Sequence, residues 1–452
     1  MKPRLQKLVW AEMDDAARQA ALSRPAVTAN PQIDAQVKEI IAKIRRDGDK
    51  AVLEFTARFD GVQLSDGIRV TDQEYAAAGR EISGEAQQAM EIAIANVSKF
   101  HAAQLTTPLR VETMSGVVCE RITRPVNAAG LYVPAGSAPL PSTAIMLAIP
   151  ARLAECPVRI MCTPPRPDGH ADPAVLLAAK MCGVDEIYKI GGAQAVAAMA
   201  YGTETVPKVE KIYGPGNVWV TAAKKAVATD PDGAALDMPA GPSEVMVLAD
   251  GSSEARFVAL DLLSQAEHGP DSQVILVSTD EQFADTVNRE IDAALPDLPR
   301  RPIIEQSLAH GACLLVTDLQ EALDIANCYA PEHLIIQVKN PRQYIDSINN
   351  AGSIFLGPWT PEAVGDYCSG TNHVLPTYGF ARNYSGLSVG DFQKQLTVQE
   401  LTRAGLTELG PTVRTLARLE GLDAHAQAVA VRLDDSSATA EQASTAADRT
   451  EA

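Results

Sequence analysis

The feature that most constrains this chain is a strict alternation of short β-rich runs with helical runs. VRIMCT (Val158–Thr163) is followed by the helical AVLLAAKMCG, and EIYKI (Glu186–Ile190) by AQAVAAMAYG. KIYG (Lys211–Gly214) then leads into NVWVTAAKKAVA. Strand–helix alternation at this spacing makes a parallel sheet covered by helices, because parallel neighbours need a crossover that a helix supplies. The pattern recurs downstream in EVMVLA, QVILVS, CLLVT and LIIQV, again with helical text between them. Two α/β units are therefore expected. No residue-level repeat relates them.

Composition narrows the class further. The chain has 452 residues, of which 46% are apolar and 21% charged, close to the averages of soluble globular domains. Its 39 basic and 57 acidic side chains leave a net charge of −18, which argues against nucleic acid and anionic membrane as partners. MKPRLQKLVW lacks the apolar core of a signal peptide, and the richest apolar run, Ala144–Ile149, ends at Pro150. Seven scattered cysteines form neither a disulfide framework nor a CxxC pattern. A reduced, cytoplasmic protein is expected.

Boundaries are read from pattern changes. Residues 1–25 form a leading segment, 26–130 and 240–381 a discontinuous first α/β domain, and 131–239 a second. Helical periodicity marks Gln32–Phe59 and Ala86–Phe100, while GLYVPAGSAPLPST (Gly130–Thr143) suits a backbone that approaches a ligand. Residues 382–432, including LTVQELTRAG, read as helical. From 433 to 452 the Ala/Ser/Thr-rich text reads as a disordered tail.

Several constellations carry chemistry. An amphipathic helix through Ala255–Ala266, capped by Ser252 or Ser253, puts Gln265 and His268 three apart in its last turn, where their side chains can converge. That is either a pair of metal ligands or an exposed polar turn. Glu332-His333 follows Pro331 and precedes a strand, as an acid–base pair or a solvated loop pair would. Its place is unusual, since ligands of parallel sheets bind at the carboxyl ends of strands. Either this strand runs against its neighbours, or the pair faces another domain. Asp366 and His373 share a Gly/Ser-rich loop with metal-competent donors, and His425 lies in a terminal helix. YGPGN and GGAQA both sit at strand-to-helix turns. Together they make a nucleotide cleft plausible, although YGPGN lacks the third glycine of GxGxxG.

Read together, GLYVPAG, KIYGPGN, DMPAGPSEV, LLSQAEHGPDSQV, APEHL, GDYCSGTNHVLPT, DFQKQLTVQEL and LEGLDAH resemble histidinol dehydrogenases, from about residue 30 to 432. The resemblance implies two incomplete Rossmann-like parallel-sheet domains with a helical, domain-swapped C-terminal extension. It also implies an NAD-dependent enzyme with one zinc ion per subunit that oxidises L-histidinol to L-histidine through histidinaldehyde, by two successive hydride transfers. The family's zinc ligands fall on Gln265, His268, Asp366 and His425, and its catalytic pair on Glu332 and His333. Substrate contacts fall on Ser243, Gln265, His268, His333, Asp366, His373, Glu420 and His425. NAD contacts fall on Tyr132, Gln194 and Asn217. A homodimer with shared sites is implied, with Glu420 and His425 completing the partner's site. The rival readings are a related zinc/NAD dehydrogenase of another small alcohol, such as a hydroxysulfonate, a zinc hydrolase, and a non-catalytic binding protein.

Overall fold

The computed structural model describes residues 4–24, 31–135, 138–239 and 241–434. The expected disordered tail falls, from residue 435 onward, outside the described residues. The described residues divide into two compact units, those within 4–105 and 125–392, and those within 106–124 and 393–434.

The first unit holds two parallel sheets. The five-stranded sheet runs Glu186–Lys189, Val158–Thr163, Ala128–Tyr132, Lys211–Tyr213, Ala235–Leu236 across its width. Counted along the chain this is the order 3-2-1-4-5, the doubly wound arrangement without its sixth strand. The six-stranded sheet runs Gln6–Val9, Ala312–Leu315, Gln273–Ser278, Glu244–Ala249, His333–Gln337, Ser353–Leu356, all parallel. Apart from the N-terminal strand at its edge, it repeats 3-2-1-4-5. Its central strands are buried along their whole length. That explains why they read as continuous apolar runs rather than alternating ones.

Two boundaries of the sequence reading are corrected here. The segment 26–130 does not join 240–381. Helix Pro31–Phe59, kinked at Gly48, packs against helices Gly192–Tyr201 and Val218–Ala228 and shares a core with Ile160, Tyr188 and Ile212. Helix Asp72–Glu81 packs on Pro173–Met181, and helix Gly84–Ala102 on Pro141–Leu153. These helices cover the five-stranded sheet. Gly48 has φ 53, and a Cβ there would collide with the Glu204 carboxylate, so the kink requires glycine. The leading segment, in turn, contributes the strand Gln6–Val9 to the other sheet.

The second unit has a three-stranded sheet with Val117–Pro125 at its centre, antiparallel to Leu109–Met114, and a packed pair of helices, Arg403–Leu419 and Asp423–Leu433. Its third strand, Gln393–Leu401, contains the LTVQEL read as helical. The strand is exposed almost throughout, so no alternation of burial marked it in sequence. Among the described residues no helix is long and apolar enough to cross a membrane. All seven thiols are unpaired.

One buried ion pair ties the chain's start to the central strand of the six-stranded sheet. Arg24 Nη2 donates to Glu244 Oε2 at 2.9 Å and to the Tyr329 carbonyl at 2.9 Å, with its guanidinium 3.8 Å over the Tyr329 ring. Breaking a buried pair leaves an uncompensated charge. Arg24→Met is expected to lower unfolding free energy by about 3–5 kcal/mol in urea titration; an unchanged midpoint would show that the pair contributes nothing.

Candidate active site

In a parallel α/β sheet, the helix after a strand runs back and returns the chain to the strand starts. The last turn of helix Ala255–Ala266 therefore brings Gln265 to the amino edge of the six-stranded sheet. Helix Leu319–Tyr329 likewise delivers Glu332-His333 there. Glu244, Gln273, His333 and Ser353 open four adjacent strands at this edge. His333's strand is parallel to both neighbours, so the option of a reversed strand is excluded. The pair instead faces the other domain. His373 Nε2 lies 3.2 Å from Thr143 Oγ1, and Asn372 Nδ2 donates to the Met146 carbonyl at 2.8 Å. Both partners are on helix Pro141–Leu153, which follows the first strand of the five-stranded sheet. The amino edge of one sheet thus meets the carboxyl edge of the other.

The turn into Glu332-His333 is sharply built. Ala330, fully buried, closes the preceding helix in the left-handed conformation at φ 54, a strain that non-glycine residues accept where surrounding structure imposes it. Gly352 lies so close that a Cβ would stand 2.6 Å from the Glu332 carbonyl oxygen. Glu332 Oε2 accepts the Glu244 amide at 2.9 Å. His333 Nδ1 lies 3.1 Å from the Glu244 carbonyl and 2.9 Å from the Gln265 amide; in the tautomer that donates from Nδ1 to that carbonyl, the lone pair is on Nε2. Nε2 is buried with no hydrogen-bond partner, 3.6 Å from Asp366 Oδ1. Burial pushes the imidazole down to about 4, keeping it neutral. Burial also raises the Glu332 carboxyl well above the usual range, with the Glu244 amide opposing it and nearby Glu244 and Asp366 adding to it.

A donor cluster lies beside the His333 ring, with Glu362 Oε1 3.7 Å from Nδ1 and Asp366 Oδ1 3.6 Å from Nε2. His268 and Asp366, with Glu362, offer ligand atoms within 4.8 Å of one another. Gln265, wholly buried, places its amide 2.9 Å from His333 Nδ1 and 2.9 Å from Glu362 Oε1. Glu362 Oε2 is buried and unpartnered. Two orphaned polar atoms beside a nitrogen/oxygen donor set without thiolate fit an exchangeable divalent cation such as zinc. His268 lies just beyond the helix end rather than in its last turn. Neither Ser252 nor Ser253 caps that helix: Ser253 Oγ bonds the Gln337 carbonyl and Ser252 Oγ bonds Asp250.

Asp366's carbonyl holds His373 Nδ1 at 2.7 Å, and Ser243, just before the strand, accepts the Gln273 amide at 3.1 Å. On the facing edge, Tyr132 Oη accepts the Gly192 amide at 3.0 Å, Gln194 Nε2 donates to Asp60 at 3.3 Å, and Asn217 Oδ1 caps helix Val218–Ala228. Both loops singled out as nucleotide turns lie at carboxyl ends of this sheet. Glu420 and His425 belong to the second unit, where they are exposed at the end of one helix and the first turn of the next.

Sequence reasoning missed Glu244, Glu362 and Asp60. Glu244 opens an otherwise apolar strand, and Glu362 precedes Asp366 by four residues on one short helix, a spacing that places them on one face. Both signals were available.

Residues 22–433 match the family model for histidinol dehydrogenase. The chain belongs to the histidinol dehydrogenase family. Histidinol dehydrogenase from Vibrio vulnificus is 52% identical over 430 residues, covering 95% of this chain and 99% of its own. That from Xanthomonas euvesicatoria is 53% identical over 426 residues, covering 94% and 98%. The crystal structure of histidinol dehydrogenase from Elizabethkingia anophelis superposes with a TM-score of 0.92 at 44% identity, covering 96% and 99%. The chain is accordingly an oxidoreductase. For a histidinol dehydrogenase cluster built as above, Asp366→Asn should weaken zinc binding at least about tenfold by equilibrium dialysis; unchanged affinity would remove Asp366 from the ligand set.

Proposed function

We propose that this chain oxidises L-histidinol to L-histidine through L-histidinaldehyde, completing histidine biosynthesis. The observation that carries the reading is the buried His333, with Nδ1 against the Glu244 carbonyl and 3.8 Å from Glu332 Oε2, and Nε2 without a hydrogen-bond partner, 3.6 Å from Asp366 Oδ1. A neutral, fixed imidazole of this kind can take a proton from an alcohol. When bound, zinc would orient the substrate's imidazole and amino nitrogens and NAD would accept two hydrides in turn.

The chain's own groups divide the remaining work. Gln265, His268, Asp366 and His425 would hold the metal. Ser243, His373 and Glu420 would contact substrate, while Tyr132, Gln194 and Asn217 would contact NAD. His333 Nε2 takes the hydroxyl proton in the first oxidation. Glu332, made a stronger base by burial once ionised, then draws a proton from water attacking the aldehyde. His333 takes the hydrate's proton in the second oxidation.

The homodimer with shared sites is also part of the reading. Leu416 and Leu419 on one helix of the second unit and Leu422 just ahead of the next are exposed. In the first unit Trp359, 84% exposed, lies tilted beside exposed Phe257, their ring centroids 6.2 Å apart. Apolar surface of this kind calls for a partner. The unpaired thiols favour the cytoplasm as compartment.

Purified protein with zinc, limiting histidinol and excess NAD should yield two NADH and one histidine per histidinol. Failure to reduce NAD would sink the reading. Glu332→Gln should slow the second oxidation about 10²–10⁴-fold, so that the first hydride appears without histidine; wild-type histidine formation would clear Glu332 of that role. Mixing His333→Asn with His425→Asn subunits, each inactive alone, should restore activity through one intact site per mixed dimer. No recovery in verified mixed dimers would refute the shared site.

A further inference from the structure

Asp60 directly follows helix Pro31–Phe59 and lies in none of the groups assigned above. Its Oδ2 accepts one side-chain hydrogen bond, the 3.3 Å bond from Gln194 Nε2. Its Oδ1 lies against Gly191, where a Cβ would stand only 3.3 Å away. Gly191 also packs on Pro164, at the end of the neighbouring strand, leaving no room for a side chain. Gly192, at φ 62, donates its amide to Tyr132 Oη. Asp60 is therefore set among Tyr132, the Gly191-Gly192 turn and Gln194, over the carboxyl ends of the first three strands of the five-stranded sheet.

Its environment is costly for a carboxylate. No lysine or arginine pairs with Asp60 among the described residues. Burial lifts its carboxyl to about 6, opposed only by the Gln194 bond. A partly buried charge without a cation is destabilising unless hydrogen-bond donors complete it. A single amide leaves most of its acceptor capacity open. In sheets of the 3-2-1-4-5 order, the half formed by the first three strands takes the adenosine portion of a dinucleotide, and a carboxylate there accepts the ribose hydroxyls.

We propose that Asp60 accepts hydrogen bonds from the adenosine ribose diol of the dinucleotide and makes the site reject the 2′-phosphorylated form. The two hydroxyls supply the donors that the carboxylate lacks. A phosphate at the same place would set two anions against each other in a site with no counter-charge. The proposal rests on the NAD-dependent reading above.

The test is titration calorimetry of the full chain with NAD and with NADP, in the absence of histidinol and well above the titration of the Asp60 carboxyl. Wild-type protein should bind NAD at least about 100-fold more tightly than NADP. Asp60→Asn should weaken NAD about tenfold and bring NADP to within about tenfold of it. Asp60→Glu, which keeps the charge, should still reject NADP. The asparagine variant removes a strained charge and should retain the wild-type melting temperature. NAD and NADP affinities within about twofold of wild type in folded Asp60→Asn would overturn the proposal. A folded wild-type chain that binds neither dinucleotide would overturn the NAD reading itself, a different outcome from loss of discrimination.

Discussion

Glu244 is the residue on which the site depends, through its main chain as much as its side chain. Its amide fixes Glu332, its carbonyl orients His333, and its carboxylate receives Arg24 and the Tyr378 amide. A backbone group at the first rung of a strand normally bonds the next strand. Here the rung is given over to two side chains of a neighbour, so sheet register and acid–base geometry are a single constraint. Any shift of that strand would move the His333 ring and the Glu332 carboxylate together.

The second constraint is the meeting of opposite sheet edges. Carboxyl edges of parallel sheets suit ligands because helix N-termini converge there with open amides. Amino edges offer helix C-termini and carbonyls, an environment that favours cations and neutral donors. The six-stranded sheet turns its amino edge to the site, and its side chains there are carboxylates, imidazoles and an amide suited to a metal. The five-stranded sheet presents its carboxyl edge, with the turns suited to a dinucleotide. On the function proposed above, the division between metal and dinucleotide would follow from which end of each sheet faces inward.

Much of this was legible in sequence. The alternation after Pro150 specified parallel sheets because only fully covered strands can be apolar throughout. The resemblance supplied most of the candidate residues, and within the first unit the geometry gathers Gln265, His268, Glu332, His333, Asp366 and His373 about one amino edge. What escaped had physical reasons. Gln393–Leu401 is exposed on nearly every residue, so neither helical nor strand periodicity survives in it. The helices of 31–102 are amphipathic, which says that they cover a sheet without saying which. Ser253 looks like a cap, yet its hydroxyl bonds a carbonyl of another strand. Such long-range choices are made by tertiary packing and leave little local trace.

The edge strand of the six-stranded sheet has a further consequence, for the order in which the chain folds. Gln6 pairs opposite Ala312, so the first strand to emerge has no partner until most of the chain exists. The five-stranded sheet, contiguous from Ala128 to Leu236, can form meanwhile from contacts closer in sequence. The N-terminal strand must therefore wait for Ala312–Leu315, and the Arg24 anchor behind it for Glu244 and Tyr329, so the beginning of the chain is held by segments made long after it.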